Sequence, residues 1–248
     1  MSDKRKSGAS VPKATKSKYQ PSANSSRTTY ILGGLAILVI AALVIFGVYW
    51  SQRDKGDADQ AALAANATMT VGPESAPTVD IFIDPLCPYC AQFEKTYGQQ
   101  ISTAVTDGKL RARYHSLHFL DEGSASGNYS SRAGGALTCV AASGNSQVFL
   151  KYLAAIYAVQ PKENGASDLS NADLARIAGE QGADAATTEC IADGAKVDEA
   201  HAKGEESWNQ LHTVLGDQTG TPAVLHDGKP VDTSNPNWLT DITGANNS

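Results

Sequence analysis

The sequence predicts an α/β domain with an inserted block of helices, preceded by one transmembrane helix. Residues 78–120 hold two stretches of alternating apolar and polar side chains separated by a helical periodicity, the order strand, helix, strand. From about 124 to 215 the apolar spacing is helical, and a strand pair around Asp227-Gly228 follows. Ahead of both, Tyr30 to Trp50 is an uncharged apolar run of 21 residues.

Residues 1–29 carry seven basic residues against Asp3 and almost no large apolar side chains, which predicts a disordered tail. The run at 30–50 is long enough to cross a hydrocarbon core of about 30 Å as a helix. Tyr30, Tyr49 and Trp50 suit its interfaces. A core helix is rarely apolar on every face. A cleaved signal peptide would have a shorter apolar region with a small-residue cleavage site close behind, whereas Ser51-Gln52-Arg53-Asp54-Lys55 follows here. The expectation is an uncleaved anchor with its basic end cytoplasmic and residues 51–248 outside the cell membrane. Residues 51–68 read as a tether and 69–248 as the folded domain.

Within that domain Thr78 to Asp84 alternates as a strand. Pro88 marks the first helical position, and Cys90, Phe93, Tyr97, Ile101 and Val105 form an apolar stripe that ends at Asp107-Gly108. Leu110 to Leu120 alternates again. Helical periods then recur through Ala133–Val140, Val148–Val159, Leu174–Ala178, the segment around Cys190 and Trp208–Leu215. Pro222 to Val231 is a hairpin whose second strand Pro230 confines to an edge or an end. A short helix with Trp238, Leu239 and Ile242 closes the chain.

The formal charge of −6 hides an asymmetry, because residues 51–248 alone carry a net −12. Such a surface excludes a nucleic-acid partner, which needs clustered Lys and Arg. Outside the membrane an even number of cysteines is expected to pair. The four are Cys87, Cys90, Cys139 and Cys190, which suggests one exchangeable pair and one distant structural pair. Cys139–Cys190 would close a loop of about 50 residues and stabilise by about 4 kcal/mol; two free buried thiols are the alternative.

Cys87-Pro88-Tyr89-Cys90 stands after a strand and at a helix start. There the unpaired amides and the positive helix end stabilise a thiolate on Cys87, while Cys90 begins the apolar stripe. The expected asymmetry is Cys87 exposed and Cys90 shielded. Zinc would need a second close pair, but the gaps between cysteines are 48 and 50 residues, so no metal site is expected. An inert short-loop disulfide is the other plain reading of the motif.

The segment IFIDPLCPYCAQFEKTY is similar to the active-site segment of the DsbA-like thiol–disulfide oxidoreductases of the thioredoxin superfamily, in their membrane-anchored bacterial form, actinobacteria included. Gly220-Thr221-Pro222-Ala223-Val224 resembles that family's cis-proline strand, and Leu153 to Pro161 resembles the end of one of its inserted helices. The resemblance covers about 69–243. It implies a thioredoxin fold with an inserted helical domain, catalytic Cys87 and Cys90, supporting roles for Pro88, Tyr89, cis Pro222 and Glu94, and a client peptide paired to the backbone of Thr221. It also implies an oxidase of reduced secreted or envelope proteins, reoxidised by a membrane quinone reductase of the DsbB or vitamin-K-epoxide-reductase type, with no cofactor of its own. An isomerase or reductase, and a non-catalytic binding module on the same scaffold, are the alternatives.

One position departs from the family pattern. A buried carboxylate six residues before the first cysteine is common there, and here that position is Ile81. Strand alternation turns Asp80 and Asp84 to the opposite face from Ile81, which leaves the proton relay without an owner. His115 and His118, three apart in a strand, point to opposite faces and cannot share a metal locally.

Overall fold

In a computed structural model, which describes residues 60–244, a five-stranded sheet organises the domain. The predicted tail at 1–29, the apolar run at 30–50 and the first part of the tether lie outside the described residues. Among the described residues no helix is long and apolar enough to cross a membrane.

Helix α1 (60–66) and strand β1 (Met69–Val71) open the described chain. Then follow β2 (Thr78–Ile83), α2 (Pro88–Thr106) and β3 (Arg111–Ser116). Five helices come next: α3 (Tyr129–Ala142), α4 (Ser146–Ala158), α5 (Asn171–Glu180), α6 (Ala185–Ala192) and α7 (Val197–Leu215). Strands β4 (Ala223–His226) and β5 (Lys229–Pro230) and helix α8 (Trp238–Thr243) finish it. The sheet order is β1-β3-β2-β4-β5, with β2 and β3 parallel and every other pair antiparallel.

Period-two alternation sorts the strand residues onto two faces. Val79, Ile81 and Ile83 join the large core with α2, α3, α4 and α8, while Phe82 packs with Leu63, Leu117, Leu211 and Leu225 beneath α1 and α7. On that second face Asp80 is buried and accepts from Arg113 Nη2 at 2.6 Å and meets His115 Nε2 at 2.9 Å. Ser207 Oγ of α7 lies 3.2 Å from His115 Nδ1, and Arg113 Nη2 donates to Gln60 Oε1 of α1 at 2.6 Å. Burial, with the charge of Arg113, lowers the His115 pKa against the opposing effect of Asp80.

Two expectations need correction, and one strand is additional. The folded part begins before Met69, because Leu63 of α1 is buried and Gln60 is tied to the sheet. Strand β3 ends at Ser116, not Leu120; the next residues turn away into the 3₁₀ segment Asp121–Gly123 although the apolar alternation continues. Strand β1 passed unread, being only three residues long. The hairpin forms at Asp227-Gly228, both with positive φ (50° and 72°), and Pro230 lies on the edge strand.

Candidate active site

Cys87 is the N-cap of α2 and Pro88 follows at its first turn, where a missing amide costs no helical hydrogen bond. The turn is set by Asp84, whose carbonyl accepts from Cys87 N at 3.0 Å. Cys90 is fully buried in the first turn of α2, on the stripe that continues through Phe93 and Ile101. Phe93 and Tyr97 pack on Trp238 of α8, which locks this helix in place.

The second wall comes from the far end of the sequence. The Thr221-Pro222 peptide is cis, and the Thr221 carbonyl accepts from the Cys87 thiol at 3.4 Å. This wall corrects the expected exposure: Cys87 is only 4% exposed, while Tyr89 takes the outer position at 74%. The asymmetry of the pair is electrostatic instead. The Cys90 thiol, Thr221 and the amides of Cys90 and Tyr89 hold Cys87 down at about 6 against the opposing effect of burial. The Thr221 hydroxyl is buried without a partner and stands ready to donate to an ionised sulfur. Burial, then the bond to Cys87, pushes Cys90 well above the ordinary thiol value. Both thiols are free, the dithiol state of an exchange pair.

Asp84 overturns the alternation argument. It stands one residue past the end of β2, so strand geometry no longer directs it, and it is wholly buried beside the cysteines. Its carboxylate accepts from Leu86 N at 2.9 Å, Leu120 N at 3.1 Å and Ser130 Oγ at 2.5 Å. Burial, with a smaller contribution from the charge of Cys87, nevertheless raises its pKa to about 7. Gln160 had no signal beyond its place before Pro161. Its side-chain amide donates to the carbonyls of Pro85 at 2.8 Å and Cys87 at 3.0 Å, clamping the loop from the end of α4. Tyr157 adds a bond to the Asp84 carbonyl at 3.1 Å. Glu94 turns instead toward a cleft between α2 and α4. Cys139 of α3 and Cys190 of α6 are joined by a disulfide with Cα atoms 6.0 Å apart.

The raised Asp84 pKa carries a stability consequence. The folded protein holds a proton that the unfolded chain releases near 3.8, so stability is greatest below that value and falls as pH rises through about 7. The loss is up to about 4 kcal/mol. Urea unfolding of Asp84→Asn between pH 4 and 7.5 is expected to show a much flatter profile than the wild type. An unchanged profile would mean that Asp84 ionises normally.

A thioredoxin family model matches residues 64–241. The chain is 39% identical over 183 residues to the serine/threonine-protein kinase PknE of Mycobacterium tuberculosis, covering 72% of this chain but 32% of the relative. It therefore spans about a third of the length of the curated relatives it matches. Oxidised DsbA of M. tuberculosis is similar in structure, with 28% identity and a TM-score of 0.60, covering 71% of this chain and 92% of that one. MdbA of Corynebacterium matruchotii, a thiol-disulfide oxidoreductase, has 28% identity and a TM-score of 0.59, covering 70% and 86%.

Proposed function

The chain belongs to the thioredoxin superfamily, in its DsbA-like branch, and from that premise we propose that it introduces disulfides into secreted or envelope proteins through Cys87 and Cys90. The observation that carries this reading is the pair of opposed thiols, Cys87 held at about 6 and Cys90 pushed well above its ordinary value.

The cycle starts from the Cys87–Cys90 disulfide. A client thiolate attacks Cys87 Sγ, the bond to Cys90 breaks, and Cys90 leaves and takes up a proton. A second client thiolate then attacks the client sulfur of the mixed disulfide. The client gains its disulfide and Cys87 departs as a thiolate, favoured by its low pKa. Two electrons have moved from client to enzyme. Asp84, poised near neutrality, exchanges the proton with Cys90, the role for which position 81 offers only isoleucine. Reoxidation hands the two electrons to a membrane quinone reductase of the DsbB or vitamin-K-epoxide-reductase type. The anchor at 30–50 would hold the domain on the extracytoplasmic side, near such a partner.

A stabilised Cys87 thiolate favours the reduced form, which makes the disulfide the stronger oxidant and supports oxidation over reduction. Equilibration with glutathione tests the direction. A potential near about −120 mV is expected, and one near about −270 mV would replace the oxidase reading with a reductase.

A further inference from the structure

A glycine in the middle of a helix costs about 1 kcal/mol relative to alanine. Gly98 occupies such a place in α2, one turn after Glu94, and a Cβ on it would overlap the Glu94 carboxylate at Oε1. The absent side chain is therefore the seat of that carboxylate. Glu94 has no hydrogen bond or ion pair with any described residue, and burial alone raises its pKa to about 7. It faces a cleft of about 500 Å³ between α2 and α4, bordered by Pro88, Ala91, Gln92, Tyr157 and Ala158.

The charge of Glu94 acts on Tyr114 and on Tyr157, the latter a residue of the cleft wall. Without a partner, this carboxyl in a cleft that begins next to Cys87 is pushed by burial toward its neutral form, and a cation entering the cleft would stabilise the ionised one. We propose that the cleft is a client subsite that receives a lysine or arginine side chain near the reacting cysteine, with Glu94 as its counter-charge. The proposal rests on the exchange function given above.

Size and charge agree with this occupant. Glu94 lies six helical positions beyond Pro88 at the rim, about 9 Å along the axis. An extended client covers that distance in about three residues. Ala91, Ala158 and Tyr157 offer apolar wall for the methylene stem while the charged head meets Glu94. Lys95 also borders the cleft, but it is exposed and makes no ion pair with Glu94. The net −12 of residues 51–248 draws in basic clients generally.

The test uses the oxidised full-length chain in detergent micelles and reduced single-cysteine peptides carrying Arg, norleucine or Glu three residues before or after the cysteine. The rate of mixed-disulfide formation is divided by the rate with dithiothreitol, which has no flanking side chain. In one of the two series the Arg peptide is expected to react about tenfold faster than the Glu peptide, and Glu94→Gln to lower that ratio at least fivefold. A ratio of one in both series, a ratio that survives Glu94→Gln, or a norleucine peptide faster than Arg would overturn the subsite. Failure of dithiothreitol together with every peptide would overturn the exchange function instead.

Discussion

Replacing Cys87 with serine is expected to reduce oxidation of a reduced client to the uncatalysed rate. The hydroxyl of serine neither forms a disulfide nor ionises near neutrality, so both the attackable bond and the leaving thiolate disappear. Cys90→Ala should behave differently. Its Cys87 thiolate can still attack a disulfide already present in a client, releasing one client thiolate and forming a mixed disulfide; without Cys90 no internal thiol resolves it, so client adducts accumulate and mass spectrometry identifies them. The same variant has a spectroscopic signature. In the wild type, thiolate absorbance near 240 nm should fall with a midpoint of about 6 as pH is lowered. The Cys90 thiol is the largest contributor to that depression, so Cys90→Ala should move the midpoint upward. Rescue of a disulfide-folding defect that survives Cys87→Ser would overturn the redox reading and leave the binding module.

The second large effect concerns folding rather than catalysis. The Cys139–Cys190 disulfide joins residues 51 apart, and in the chain-entropy model a loop of that length stabilises by about 4 kcal/mol. A Cys139→Ser, Cys190→Ser double variant should lose about that much in urea unfolding, a large part of a typical domain's stability. Its exchange rate with dithiothreitol below the transition should stay near that of the wild type, because the bridge ties α3 to α6 and touches neither catalytic sulfur. Unchanged stability would contradict the structural role. Selective loss of exchange with stability intact would assign the pair a redox role.

Much of the fold was legible because its signals are local. A proline one residue after Cys87, an apolar stripe every three or four residues and an Asp-Gly turn act through near neighbours, and α2 and the β4–β5 hairpin formed where they predicted. The misreadings have two causes, contact between distant segments and strands that end before their alternation does. Cys87 seemed exposed because the residue covering it, Thr221, is 134 positions away. Asp84 was assigned a face by extending the β2 alternation past Ile83, where the backbone had already turned. Helix α1 reads as a tether because Leu63 is its single large apolar anchor and its other ties are polar, Gln60 to Arg113 and the Asn66 carbonyl to Ser207. The Gln160 clamp joins a helix end to backbone carbonyls, a contact with no periodicity to betray it.

The two ends of the sheet bear on a hazard of handling unfolded chains. An enzyme that meets such chains risks becoming a template for their aggregation wherever it offers unpaired strand backbone. Here one margin is β1, three residues long, and the other is β5, two residues long and containing Pro230, which has no amide to donate. Neither gives an incoming segment enough register to nucleate a growing sheet. The backbone of Thr221, by contrast, lies against Cys87, so the proposed client strand would dock there with its sulfur beside the reacting one.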